Sequence, residues 1–163
     1  MVSRSFLKSK EAKGLLKAIS SKYGLPEDFF KGKAKVEVLK VKENKRLFFL
    51  DGKPLVFTMD SELYPTLIFF EALARLPKIV VDMGAVSHIC NGADVMMPGV
   101  KRIDGAFKEN SLVLIVDEKH GKTLAIGVAL INSEEAKNLR KGKLAKNLHY
   151  VGDEVWKNLS NLA

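Results

Sequence analysis

Three histidines and one cysteine are the first residues to test for chemistry, and their spacing supplies none. His88, His120 and His149 lie far apart, and Cys90 has no second cysteine to pair with. No interval among them matches zinc ligation. His88 and Cys90 are two residues apart in a short helical stretch and so do not share a face; Cys90 reads as a small core residue. There is no Gly-Lys-Ser/Thr phosphate loop and no Gly-x-Ser-x-Gly elbow, and no acidic pair stands out as an acid/base couple. A Ser/His/Asp set would meet only in the fold, and nothing raises the case for one. No cofactor and no metal are implied, and the expectation is a binding protein rather than an enzyme.

What the sequence offers instead is bare main chain beside positive charge. Gly84 and Ala85 stand where a strand turns into a helix, and Gly92 and Ala93 give a second bare patch nearby. Backbone N–H groups at a helix start favour an anion, and a side chain of one methyl or none lets a phosphate come close. Lys101 and Arg102 follow Pro98-Gly99 after a single valine and suit a phosphate clamp. Arg140, Lys141, Lys143 and Lys146 form a basic run able to track a polynucleotide backbone. His149 and Tyr150 are the types that stack on an unpaired base. Each has a plainer reading. Gly84, Gly92 and Gly99 all supply turn geometry; Asp82 reads as a helix cap and Asp94 as part of a turn. Lys101 and Arg102 also fit as solvated charges, and residues 140–146 as a solvated loop. His149 and Tyr150 alternate along a strand, so one faces the core and the other is free. Trp156 reads as core.

The charge balance fits a polyanion partner. Lys and Arg number 27 against 19 Asp and Glu, a net of +8 in 163 residues. RNA, DNA, ribosomes and anionic membrane are all admitted by that number, as is a lysine surface that only keeps the chain soluble. Residues 1–77 carry 15 basic and 9 acidic side chains, a net of +6, and residues 78–163 carry 12 and 10, a net of +2. The single cysteine excludes an internal disulfide, residues 1–10 lack the apolar core of a signal peptide, and the longest apolar runs are too short to span a bilayer. The expectation is a cytoplasmic protein that does not enter membranes.

The elements that must hold these residues divide at Pro77. Residues 9–23 have helical spacing, with Ala12, Leu15, Leu16, Ile19 and Tyr23 on one stripe, Lys10, Lys13 and Lys17 together away from it, and Gly24 and Pro26 as the stop. Strands follow at 36–41, 46–50 and 54–59, the last two joined by an Asp51-Gly52-Lys53 turn. A second helix is expected from Pro65 to just before Pro77. After Pro77 come a strand at 78–82, a short helix at 84–90 capped by Asp82, a strand at 94–100, strands at 111–118 and 122–131, a helix at 133–139 capped by Ser133, the basic loop 140–146, and a closing segment 148–156. The expected class is α+β: a mixed α/β module over residues 1–76, then a small β-barrel with short helices over residues 78–159.

The segment VVDMGAVSHICNGADVMMPGV (80–100) resembles the signature of the PUA domain, a small β-barrel of RNA-modification enzymes and translation proteins. The likeness rests on Asp82, Gly84-Ala85, Gly92-Ala93-Asp94 and Pro98-Gly99. Tyr64-Pro65-Thr66-Leu67, Asn147-Leu148-His149-Tyr150 and Trp156 are similar to motifs of one subfamily, the MCT-one/density-regulated-partner group, which includes the amino-terminal half of ligatin. Its members carry a pre-PUA module followed by a PUA domain; the likeness covers nearly the whole chain and is weakest over residues 1–35. The short, lysine-rich form looks like an archaeal member. The resemblance implies binding to structured RNA (tRNA or rRNA) on the small ribosomal subunit during initiation, re-initiation or recycling. Ligatin continues into further domains, one of them initiation-factor-like, whereas this chain ends at Ala163, so a separate partner protein is expected to supply that activity. Other readings are an RNA-targeting subunit of a tRNA- or rRNA-modification enzyme, an adaptor whose basic face takes an acidic protein, and, least fitting, membrane attachment through the basic helix.

Overall fold

The computed structural model describes residues 4–26, 28–30 and 35–160. The chain divides into an N-terminal unit that takes in residues up to Ala74 together with Asn158 onward, and a second unit, Arg75–Lys157.

The N-terminal unit is a five-stranded antiparallel sheet with one long helix. A two-residue strand β1 (Ser5–Phe6) leads into helix α1 (Ser9–Tyr23), which closes at Gly24 in the left-handed conformation, φ 62°. Strands β2 (Val36–Lys42), β3 (Lys45–Leu50), β4 (Lys53–Met59) and β5 (Glu62–Pro65) follow as a meander in the order β1-β2-β3-β4-β5. Asp51 and Gly52 both take positive φ, as a two-residue hairpin turn between right-twisted strands requires. Ile19 and Tyr23 of α1 pack with Val36, Phe48, Val56 and Phe69 in this unit's core.

Residues 65–76 do not form the expected helix. Pro65 ends strand β5 opposite Val56, and only a single turn, α2 (Phe70–Leu73), is helical. The next residue keeps the chain extended: the Thr66 N–H donates to Leu55 O and its fully buried hydroxyl to Pro54 O, both at 2.8 Å. Proline suits the end of an edge strand as well as the start of a helix, and here the ladder wins.

The second unit is a six-stranded sheet with short helices at its margins. Its elements are β6 (Lys78–Val81), α3 (Met83–Ile89), β7 (Val95–Met96), a 3-10 turn (Met97–Gly99), β8 (Val100–Asp104), β9 (Leu112–Asp117), β10 (Thr123–Ala129), α4 (Ser133–Ala136), β11 (Lys143–Tyr150) and the larger part of α5 (Glu154–Leu159), whose last two residues fall in the first unit. The order is β7-β11-β10-β9-β6-β8, with only the β6–β9 pair parallel. β7 and β8 are the two edges of this sheet, yet three residues join them. Three residues reach about 10 Å, so the sheet must curl until its edges meet, giving the barrel expected from the sequence. Ile79, Val95, Val113, Ile115, Ala125 and Leu144 fill it. The register of β10 shifts at Gly127, a bulge where a strand bends.

Three local expectations give way here. Residues 143–146 are not loop but the first half of β11, with Leu144 and Ala145 buried between exposed Lys143 and Lys146. Residues 100–104 form a strand, β8, beyond the expected 94–100 segment. The N-cap position of α4 is Asn132, while buried Ser133 turns its hydroxyl inward to bond with Phe107.

Candidate nucleic-acid interface

The bare main chain of the second unit surrounds an open cavity of about 510 Å3. Helix α3 forms one wall with Gly84, Ala85 and His88; Ala93 and Asp94 lead into β7, where Met96 lies on the rim; Pro98 and Gly99 close the far side. Met96 is 45% exposed, and Met83 at the start of α3 is 42% exposed. The surroundings are mainly apolar, with polar groups at the margin, the form of a pocket for a flat or small ligand.

The helix start is already occupied. The Asp82 carboxylate accepts from the Ala85 N–H at 2.9 Å, as the sequence led one to expect of a cap. That N–H is therefore satisfied internally and the carboxylate adds negative charge, so an anion is not drawn to this point by free donors. What Gly84 and Ala85 contribute is closeness. A methyl on Gly84 would sit 3.3 Å from Asp82 Oδ1, and one on Gly99 3.3 Å from Ala85 Cβ.

Gly92 does not line the cavity. It takes φ +95°, and a methyl group there would meet the Tyr150 hydroxyl at 3.2 Å and its ring at 3.3 Å. Tyr150 thus covers the Gly92 corner, half-buried and packed against the barrel core. Its neighbour His149 is the core member of the pair: it is fully buried, and its Nδ1 lies 2.9 Å from Asp153. Trp156 is half-buried rather than enclosed.

The cations fall into two groups. Lys143 on β11 pairs with Asp94 at 3.1 Å, which puts an ammonium at the cavity margin. Asp94 also accepts from the Asn147 N–H at 2.9 Å. Burial raises the Asp94 carboxyl, but the Asn147 N–H and Lys143 outweigh it, and its pKa lies below the ordinary carboxylate value. Lys141 stands in the exposed turn before β11, next to Gly142, whose carbonyl accepts from the Met97 N–H at 2.8 Å. Lys101 and Arg102 are the second and third residues of edge strand β8, both exposed; Arg102 is held by Asp104 at 3.1 Å. The structure therefore brings Gly84, Ala85 and Ala93 to one cavity with Lys143 at its margin, sets Lys101 and Arg102 on the chain after its 3-10 turn and Lys141 beside the Gly142 that bonds to that turn, and leaves Gly92 and Tyr150 against each other.

Asn147 organises the site without having been read as part of it. Its side-chain amide donates to the carbonyls of Ile89 and Ala93, both at 3.0 Å, locking the end of α3 to β11. His88 and Met96 were also missed as lining residues. The adjacent pair Met96-Met97 was a usable signal, since methionine is favoured at adaptable binding surfaces. Among the described residues no group of His, Cys, Asp and Glu could hold a metal ion, and no helix is long and apolar enough to cross a membrane.

A curled six-stranded barrel with α3 and a small-residue cavity at its margin, preceded by a separate sheet-and-helix unit, defines a PUA protein with a pre-PUA module. Residues 77–151 match the PUA domain model, and residues 3–72 match that of a domain of unknown function, DUF1947. The chain is 37% identical over 154 residues to the uncharacterized protein MJ1432 of Methanocaldococcus jannaschii, covering 94% of both. It is 30% identical over 131 residues to translation machinery-associated protein 20 of Eremothecium gossypii, covering 76% of this chain and 72% of that one. A crystal structure of a hypothetical protein from Pyrococcus horikoshii superposes with a TM-score of 0.76 at 31% identity, over 97% of this chain and all of the other. The chain belongs to the family of pre-PUA plus PUA proteins that includes translation machinery-associated protein 20 and malignant T-cell-amplified sequence 1. Over 88 residues the chain is also 40% identical to a probable tRNA pseudouridine synthase B of Pyrobaculum aerophilum, covering 53% of this chain and 26% of that protein.

Proposed function

We propose that this chain binds structured RNA through its PUA unit and works in translation, on tRNA or the small ribosomal subunit, during initiation, re-initiation or recycling. The observation that carries this reading is the cavity of Gly84, Ala85, Ala93 and Gly99, where main chain can be approached closely, with Lys143 at its margin and Lys101, Arg102 and Lys141 on the flanking chain. Structured RNA is recognised through shape, phosphates and exposed bases. The apolar walls suit an unstacked base or ribose, and the flanking cations suit the phosphates beside it. Kinship with translation machinery-associated protein 20 supports the setting.

The test is binding of labelled tRNA and of small-subunit rRNA to the full chain and to the variant Lys101→Glu with Arg102→Glu. The fold should survive, since both side chains are exposed on an edge strand, and affinity should fall about tenfold or more. Unchanged affinity would remove the β8 cations from the site. A second reading, a targeting subunit of a tRNA- or rRNA-modification enzyme, draws on the likeness of part of the chain to the Pyrobaculum synthase; it requires such an enzyme to co-purify.

A further inference from the structure

We propose a second RNA-phosphate contact surface, on the N-terminal unit: the exposed stripe Lys10, Lys13 and Lys17 of helix α1. The proposal rests on the RNA-binding reading above and extends it to a part of the chain that reading leaves idle.

The three residues stand at i, i+3 and i+7, so they lie on one face over about 10 Å of helix axis. All three are exposed, while Ala12, Ile19 and Tyr23 bury the opposite side. Arg4, Lys22 and Lys40 of this unit are tied to Glu37, the Leu63 carbonyl and Glu43; among the described residues the three stripe lysines make no ion pair. The surfaces between them are small: Gly14, Ala18 and Ser21 are exposed beside the stripe, and a methyl on Gly14 would meet nothing within 4 Å. A polynucleotide backbone can therefore lie against the helix with the ammonium groups around it.

Stability alone does not account for this arrangement. Like charges three and four apart repel on a helix surface. Lys10 sits in the first turn, where the helix dipole disfavours a cation, and Glu11 is the acidic residue there. A row of unneutralised cations that begins at the unfavourable helix end matches a partner that brings its own regular row of negative charge. RNA phosphates do so, and release counterions on binding.

The experiment compares full-length protein with the variant Lys10→Ala, Lys13→Ala, Lys17→Ala, titrating labelled tRNA over a series of salt concentrations, with circular dichroism to confirm the helix. Alanine at exposed helical sites keeps the helix. The expected result is about tenfold weaker binding near 0.1 M salt and a log–log salt slope shallower by about 2 to 3. The variant with arginine at all three positions should bind as the parent does. Parent-like affinity and slope in the alanine variant would overturn the proposal; if the Lys101→Glu, Arg102→Glu protein is still weakened, the PUA reading survives alone. A parent protein that binds no structured RNA removes both. Vesicles containing phosphatidylserine form the other arm: capture that depends on the stripe while RNA affinity does not would reassign it to a membrane surface and overturn the proposal.

Discussion

A methyl group at Gly127 would lie 2.8 Å from the carbonyl oxygen of Lys146 and 3.0 Å from Ile115 Cδ1. Both neighbours are fixed, the first as backbone of β11 and the second as a fully buried core side chain. Gly127→Ala should therefore destabilise the protein by about 2 kcal/mol, seen as a lower urea midpoint with an unchanged slope. A midpoint equal to the parent's would show that β10 can shift to make room. The sequence hides this requirement, because a glycine inside an apolar run reads as a tolerated weakness in a strand. Gly92 is the converse case. Its place in a conspicuous small-residue motif suggested an approach route for RNA, whereas Tyr150, fifty-eight positions on, fills the space. Asp82 was readable as a cap because capping is local: carboxylate and donor lie three residues apart.

Elements set by local pattern were equally readable. Strands β3, β4, β9 and β10 are apolar runs bounded by turn residues, and helix α1 follows its stripe from Ser9 to its glycine stop. Elements decided by ladder partners were not. β8 has no buried residue and no alternation to betray it, and β5 follows a turn of Asp60 and Ser61, both with positive φ, that carries no glycine signal. The corner between β11 and α5 belongs to this second kind. Asp153 accepts from the Tyr150 N–H at 3.0 Å and the Trp156 N–H at 2.8 Å and faces His149, so one carboxylate ends the strand and caps the helix. Burial raises its pKa, but the His149 hydrogen bond and charge and the two N–H donors outweigh it, leaving it below the usual value. A depressed folded pKa means stability that is fully present above the unfolded carboxyl range, near 3.9, and is lost as pH falls through the folded value. Asp153→Ala should cost about 2 to 3 kcal/mol at neutral pH, and its stability should fall less steeply below about pH 4 than the parent's. Parallel acid-unfolding curves for the two proteins would show that Asp153 does not carry the acid sensitivity.

For the molecule as a whole, sequence reasoning reached the class of fold, the net charge and the small-residue motif, but not the cavity, because α3, β7 and the 3-10 turn meet there only once the sheet curls. Charge has the opposite character, since a net of +8 needs no fold to be read. Its distribution decides what the intact protein should do in a cell extract. Residues 1–77 carry most of the excess, so both halves of the chain can contribute to holding a polyanion. Binding by both contacts proposed above would be cooperative in effect, because the second would be made within an already formed complex, and it would weaken steeply with salt. Full-length protein captured from extract at low salt should therefore bring small ribosomal subunits or tRNA, and nuclease or a rise in salt should release them. A protein complex that survives nuclease would point instead to an adaptor reading an acidic partner. A modification enzyme recovered in fixed ratio would favour the targeting-subunit reading that the Pyrobaculum likeness supports.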